Sequence, residues 1–268
     1  MKRTLYIVAV VFFAAVAIFS SYKLWQYYSE EKQVKDAFDD LSQQVIKPKD
    51  TVKPPPAPPD NSDPVASPSE SADPPEPVEW TVYDQYGALF EKNSDMIGWI
   101  RIEDTVIDYP VMFTPDDPEY YLNLSFEKAY SSSGVPFVGV NCTIDPQSDN
   151  VIIHGHNMKS GTIFGSLRKY SKKDYWEEHP VIQFDTLTGF GQYEIIAVFT
   201  ASPYSFKYYE FINAADEADF DKFIKKVKSL SYYDTGLTAT YGDKLLTLST
   251  CEYSAEYNRL VVVARKCG

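Results

Sequence analysis

The chain has 268 residues, 44% of them hydrophobic, with 21 Tyr and 16 Phe, enough apolar area for a sizeable core and unlike a disordered chain over most of its length. Its formal net charge of −13 argues against a nucleic-acid partner, because holding a phosphate backbone requires clustered Lys and Arg. The three cysteines, Cys142, Cys251 and Cys267, leave at least one thiol unpaired and sit at no zinc-site spacing.

Lys2 and Arg3 precede an uncharged run, LYIVAVVFFAAVAIFSSY from Leu5 to Tyr22, which as a helix spans about 27 Å, close to the hydrocarbon thickness of a bilayer. Residues 1–28 therefore read as a cytoplasmic tip and a transmembrane signal anchor. The leading positive charges keep the N-terminus in the cytoplasm and place everything after Lys23 outside the cell. A cleaved signal peptide is the alternative, but the run is long for one and lacks a clear A-x-A site.

Residues 29–79 read as a juxtamembrane helix followed by a Pro-rich linker. Ser29 to Ile46 is charged, with Val34, Phe38, Leu41 and Val45 at helical spacing, which predicts a short helix acting as a spacer. Lys47 to Glu79 holds eleven of the 18 prolines, a composition that favours extended polyproline segments and could reach roughly 100 Å. A stalk through a cell wall is the expected role. An SH3-type ligand is the lesser reading, because such readers are cytoplasmic.

From Trp80 to Gly268 the pattern changes to short apolar or alternating runs broken by Gly, Pro, Asn and Asp, the punctuation of a mostly-β domain. Strands are predicted at Gly98 to Ile102, Val106 to Met112, Val135 to Val140, Asn150 to His154, Val181 to Asp185, Gln192 to Ala201, Lys244 to Cys251 and Arg259 to Lys266. Eight strands suggest a closed barrel. Helices are predicted at Val82 to Asn93, leading into the first strand, and at Ala214 to Leu230, where Ala218, Phe220, Phe223, Ile224, Val227 and Leu230 recur at helical spacing with Asp216 in the first turn.

The last two strands are joined by the seven residues Glu252 to Asn258, so an antiparallel hairpin is the simplest arrangement. Cys251 ends one strand and Arg259 begins the next, which puts a thiol beside a guanidinium that can favour the thiolate and later an oxyanion. NVIIHGHNM, Asn150 to Met158, is an apolar strand ending in a turn that carries His154 and His156 around Gly155. An imidazole near the thiolate can act as acid toward a leaving amine and as base for an incoming one. Spacing alone does not bring Cys and His together.

TLSTC at Thr247 to Cys251, Arg259 in NRLVVVA, and GHNM at Gly155 to Met158 together resemble the sortase family, in order and separation. DMIGWIRI at Asp95, VIDYPVM at Val106, EYYLN at Glu119 and GTIFGSLRKY at Gly161 resemble class B, and so does a long helix between the sixth and seventh strands. The resemblance covers Val82 to Lys266. It implies a mostly-β fold with added helices: an eight-stranded sortase β-barrel with an N-terminal helix and a long helix between strands 6 and 7, occupying residues 80–268.

It also implies a cysteine transpeptidase with Cys251 as nucleophile, His156 as acid/base and Arg259 as oxyanion and substrate contact. The substrates would be secreted proteins bearing a C-terminal sorting signal, of the NPxTx type, cut after Thr. A thioester forms and is resolved by an amine of peptidoglycan precursor or of a pilin. Ser249, Thr250 and Glu252 are expected near the substrate groove, with Thr250 on the opposite strand face from Ser249. Leu122 is expected there too, and the loop Ser202 to Asn213, with Tyr204, as a groove wall. A Gram-positive cell surface is the implied setting.

His154 reads as structural and His179 as an exposed loop residue. Cys142 and Cys267 read as buried or idle thiols. Asp145, Asp149 and Glu252 have no ligand spacing for a metal, and no cofactor is expected. Two other functions remain: a hydrolytic cysteine peptidase at the cell surface, separated by whether amine or water takes the acyl group, and a non-catalytic wall-binding module, which would lack thiol-dependent cleavage.

Overall fold

A computed structural model describes residues 2–46, 80–202, 204–251 and 258–267. The apolar run and the expected spacer form one continuous helix, α1, Lys2–Gln43. Its first part is apolar enough to cross a membrane, with mean hydropathy 2.1 over its most apolar window, none of that window being buried in the protein. The second half is docked on the folded domain. Phe38 and Leu41 are buried in the core of the folded domain, with Val34 and Val45 packed beside them, so the apolar stripe at helical spacing faces the domain.

The chain then joins α2, Val82–Lys92, which is capped by Thr81: its side chain accepts from the Asp84 N–H, and the Asp84 carboxylate accepts from the Thr81 N–H, a reciprocal capping box. Ile46 donates its N–H to the Gln85 carbonyl at 3.1 Å, and the Trp80 indole donates to the Gln85 side chain at 3.3 Å. The two ends of the Pro-rich segment 47–79 are thus held against the same residue of α2. The segment itself lies outside the described residues.

Eight strands close a barrel: β1 (Met96–Arg101), β2 (Asp108–Met112), β3 (Phe137–Val138), β4 (Asn150–His154), β5 (Val181–Thr186), β6 (Gln192–Ala201), β7 (Leu245–Cys251) and β8 (Arg259–Lys266), neighbouring in the order β1-β2-β3-β4-β7-β8-β6-β5. β2–β3 and β4–β7 are parallel and the other pairs antiparallel. Closure leaves no open sheet edge. β3 is shorter than the run Val135 to Val140 because Pro136 has no N–H to donate and the chain turns at Gly139, whose carbonyl accepts from Cys142. β2 likewise begins only at Asp108, two residues after the expected start.

Residues alternate between two cores. Leu246, Leu248, Leu260, Val262 and Ala264 point into the barrel, while Leu245, Val261 and Val263 pack outward under α4, Glu217–Leu230. On β6 the register slips between Ile195 and Ala197, a bulge that turns Ile196 and Ala197 to the same outer face. α4 covers that face with Phe220, Phe223, Ile224 and Val227. It starts later than expected because Asp216 is its cap, accepting from the Asp219 N–H at 2.9 Å. The short helix α3, Lys173–Glu178, follows a 3-10 turn at Gly165–Ser171.

Candidate active site

β4 and β7 run side by side in the same direction, and their last register pair is His154 with Ser249. The next residue, Gly155, donates its N–H to the Ser249 carbonyl at 3.2 Å, so the turn carrying His156 opens beside the end of β7. Two residues after Ser249, the β7 backbone at Cys251 is the register partner of Arg259, the first residue of β8. The end of β4 thus meets the end of β7 and the start of β8 at one rim of the barrel.

A cleft of about 780 Å³ lies at this rim, and His154, His156, Ser249, Thr250 and Arg259 are among its lining residues. Leu122, Val140, Asn141, Tyr208, Tyr209 and Glu210 also line it. Leu122 contributes through its backbone: its carbonyl lies 2.8 Å from His156 Nε2. A carbonyl can only accept, so Nε2 carries the hydrogen and the imidazole is oriented with Nδ1 as its other nitrogen. Gly155 is required by packing: a Cβ there would sit 2.7 Å from the Phe164 ring.

His154 also faces the cleft. Its imidazole packs over Phe137, ring centroids 5.7 Å apart, and against Gly139, where a Cβ would come within 2.8 Å of Nε2. Burial, with the Arg259 charge adding to it, pulls the His154 pKa down to about 4, so this imidazole is neutral near neutral pH. The expectation of a purely structural role thus meets a ring that lines the cleft. His179, expected to be exposed, is half-buried against Tyr175, with ring centroids 4.5 Å apart.

Ser249 is 1% exposed and its hydroxyl is paired with the Tyr208 hydroxyl at 2.7 Å. Thr250 is equally buried and its hydroxyl has no partner among the described residues, yet it lines the same cleft as Ser249. Glu252 lies outside the described residues. Tyr204 does not line the cleft; it is 77% exposed. The wall comes from four residues further on, because a 3-10 turn at Tyr208–Glu210 carries Tyr208 back under the sheet.

That wall is fixed from β4. Asn150, fully buried, donates from its side-chain amide to the Phe211 carbonyl at 2.8 Å and accepts from the Thr247 hydroxyl at 2.8 Å. Asp149 accepts from the Ala214 N–H at 3.0 Å and pairs with Lys244 at 2.8 Å. These ties, between segments far apart in sequence, select which part of the Tyr-rich loop enters the cleft. Aromatic content identified the loop, but no sequence signal identified the residue.

Of the thiols expected to be idle, Cys142 is buried and free. The Ile152 N–H points at its sulfur from 3.4 Å, and burial pushes its pKa up. Cys267 is free and half-buried.

A family model described as the sortase domain matches residues 100–267. Sortase B of Listeria monocytogenes is 35% identical over 183 residues, covering 68% of this chain and 73% of that protein. Sortase B of Staphylococcus aureus is 28% identical, covering 99% of this chain and 97% of that protein. Among solved structures, a Staphylococcus aureus sortase B–substrate complex superposes with a TM-score of 0.73 at 26% identity, over 89% of this chain and 98% of that one. A sortase B structure from B. anthracis, in complex with AAEK1, superposes with a TM-score of 0.70 at the same identity and coverage.

Proposed function

This chain belongs to the sortase family of cysteine transpeptidases, and from that premise we propose that Cys251 is its nucleophile, His156 its acid/base and Arg259 its oxyanion contact. The observation that carries the assignment is the convergence of the His156 turn, the end of β7 and the start of β8 on one cleft. The barrel positions them through parallel β4–β7 and antiparallel β7–β8 pairing, so Cys251 and Arg259 rest on strand ends and His156 on the turn directly after β4.

In the proposed reaction the Cys251 thiolate attacks the carbonyl carbon of the Thr residue in a sorting signal. The carbonyl oxygen becomes an oxyanion, and the Arg259 guanidinium stabilises it. Collapse of the tetrahedral adduct breaks the C–N bond. His156, as imidazolium, gives its proton to the departing amine, leaving a Thr thioester on Cys251 and a neutral imidazole. An acceptor amine then attacks the thioester, His156 takes its proton, and the new amide leaves with Cys251 restored as thiolate. The Leu122 carbonyl, holding Nε2–H, leaves Nδ1 as the nitrogen that exchanges the proton.

The remaining parts of the reading rest on the sequence motifs and on the apolar N-terminal run. The sorting signal is of the NPxTx type, and the acceptor is an amine of peptidoglycan precursor or of a pilin. Ser249, Thr250, Glu252 and Leu122 border the substrate. Residues 1–28 form the cytoplasmic tip and single membrane span, and 80–268 the catalytic domain outside the cell. The juxtamembrane half of α1 docks on that domain, and 47–79 is the Pro-rich link.

The test is a panel of fluorogenic peptides bearing NPxTx and LPxTx signals, with and without an amine acceptor, beside Cys251→Ala. Cleavage that requires Cys251 and gives a transfer product supports the reading and names the signal. Cleavage that releases only the hydrolysed acid at saturating amine would support a peptidase instead, and cleavage that survives Cys251→Ala would remove the proposed nucleophile.

A further inference from the structure

The turn that carries His156 is held from behind, and the holding contacts lead to the membrane helix. Asn157 and Ile163 bridge across the turn, and the Phe164 N–H closes it onto the His156 carbonyl at 3.0 Å. Ile163 stands at φ 52°, in the left-handed region that a β-branched residue enters only when its surroundings compel it. In that conformation its N–H is held by Tyr109 on β2, whose hydroxyl accepts it at 3.1 Å. Both residues are buried.

Tyr109 is in turn packed by α1. The Phe38 ring meets the Tyr109 ring edge-on, with centroids 4.8 Å apart and an interplanar angle of 67°. A second approach lies alongside: Glu31 and Val34 of α1 face Met158 and Thr162 of the His156 turn across a narrow crevice. Phe38 stands on the same unbroken helix as the apolar run that is long enough to span a bilayer.

We propose that the juxtamembrane half of α1 is a positioning element for His156, acting through Phe38 and Tyr109 on the turn from Asn157 to Phe164. The proposal rests on the reading of His156 as acid/base. With α1 docked, Tyr109 cannot rotate away from Ile163, the strained turn stays closed, and the imidazole keeps its place against the Leu122 carbonyl. With α1 undocked or removed, the turn relaxes at Ile163 and the imidazole samples positions from which proton transfer is slow. The membrane helix thereby contributes to turnover as well as to location.

The experiment uses the full chain in detergent micelles or lipid nanodiscs and compares wild type with Tyr109→Phe, Phe38→Ala, Phe38→Tyr and the double variant Phe38→Ala/Tyr109→Phe. The probes are a fluorogenic NPxTx peptide with an amine acceptor, the pH profile of kcat, and side-chain nitrogen NMR of the three histidines. Tyr109→Phe keeps the ring and loses only the hydrogen bond, so kcat is expected to fall about tenfold with KM within about twofold. Phe38→Ala should lower kcat in the same direction, Phe38→Tyr should restore it, and the double variant should lose no more than Tyr109→Phe alone because the contacts act in series.

The His156 resonances should change in Tyr109→Phe and Phe38→Ala, while those of His154 and His179 stay in place. Unchanged kcat and unchanged His156 resonances in both variants overturn the proposal. So does a fall in kcat accompanied by a raised KM, a lowered melting temperature and movement of all three histidines, which would indicate general loosening. His156→Ala runs in parallel: if it retains transfer activity, the acid/base reading fails, while the His156 resonances of Tyr109→Phe still report whether Tyr109 holds the turn.

Discussion

Cys251 and Arg259 are direct register partners, closing the β7–β8 ladder at its open end. Facing residues of an antiparallel pair lie about 5 Å apart, so the distance between the two backbones is set by the sheet. Removing the thiol by Cys251→Ala is expected to abolish both cleavage and transfer. Arg259→Ala should lower kcat by about 10²- to 10³-fold, the usual consequence of losing an oxyanion donor, with Arg259→Lys intermediate because it keeps the charge without the planar fork. Steady-state kinetics with mass-spectrometric detection of the transfer product would check this, and an Arg259→Ala enzyme with wild-type kcat would count against the role.

His154 makes acid pH costly. Its folded-state pKa, about 4, lies below the ordinary histidine value of 6.5 because burial and the Arg259 charge disfavour the cation. As pH falls through about 6.5 the unfolded chain takes up the proton first, so stability is lost progressively down to about pH 4, by at most about 3 kcal/mol. The loss is complete below that. His154→Gln should flatten this part of the stability–pH curve measured by urea unfolding of the soluble domain. An equal slope in both proteins would show that other groups cause it.

Gly155 separates the two cleft histidines at a point where a Cβ would approach Phe164 to 2.7 Å and Ile163 to 3.1 Å. Gly155→Ala should displace the His156 turn, cutting kcat by at least about tenfold, since small misplacements of a catalytic group are expensive. It should also destabilise the domain by about 1–3 kcal/mol through overpacking. Parallel kinetics and thermal unfolding would separate the two effects, and a fully active Gly155→Ala protein would mean that Phe164 gives way freely.

Asn150 joins β4 to the loop that forms one cleft wall. Asn150→Ala leaves the Phe211 carbonyl and the Thr247 hydroxyl without their partners, at a cost of about 1–3 kcal/mol for buried groups. KM for the peptide should rise more than kcat falls, because Tyr208, Tyr209 and Glu210 shape the groove rather than perform proton transfer. A kcat-only defect would point to a different role for this loop.

Much of the barrel was legible because strands alternate or run apolar between turn residues: β4, β6 and β8 have the predicted ends. Errors fell where local chemistry overrode the pattern. Pro136 shortened β3, and Asp216 served as the cap of α4 rather than as a first-turn residue. The stripe Val34, Phe38, Leu41 and Val45 was read correctly as a helix face, but nothing in the stripe says what covers it. Likewise the loop after β6 is rich in aromatics, but nothing in that composition distinguishes Tyr208, which lines the cleft, from the exposed Tyr204.

The sequence by itself determined the long apolar N-terminal helix, the succession of strands along the chain and the motifs that hold Cys251, His156 and Arg259, because each is written in a local run of residues, while the order of strands around the barrel was decided by the fold. The tertiary structure alone decided that the second half of α1 packs on the barrel, that Tyr109 closes the His156 turn and that Asn150 selects the cleft wall. These contacts join segments tens of residues apart, and which side chains meet depends on barrel closure and register rather than on the periodicity of either segment.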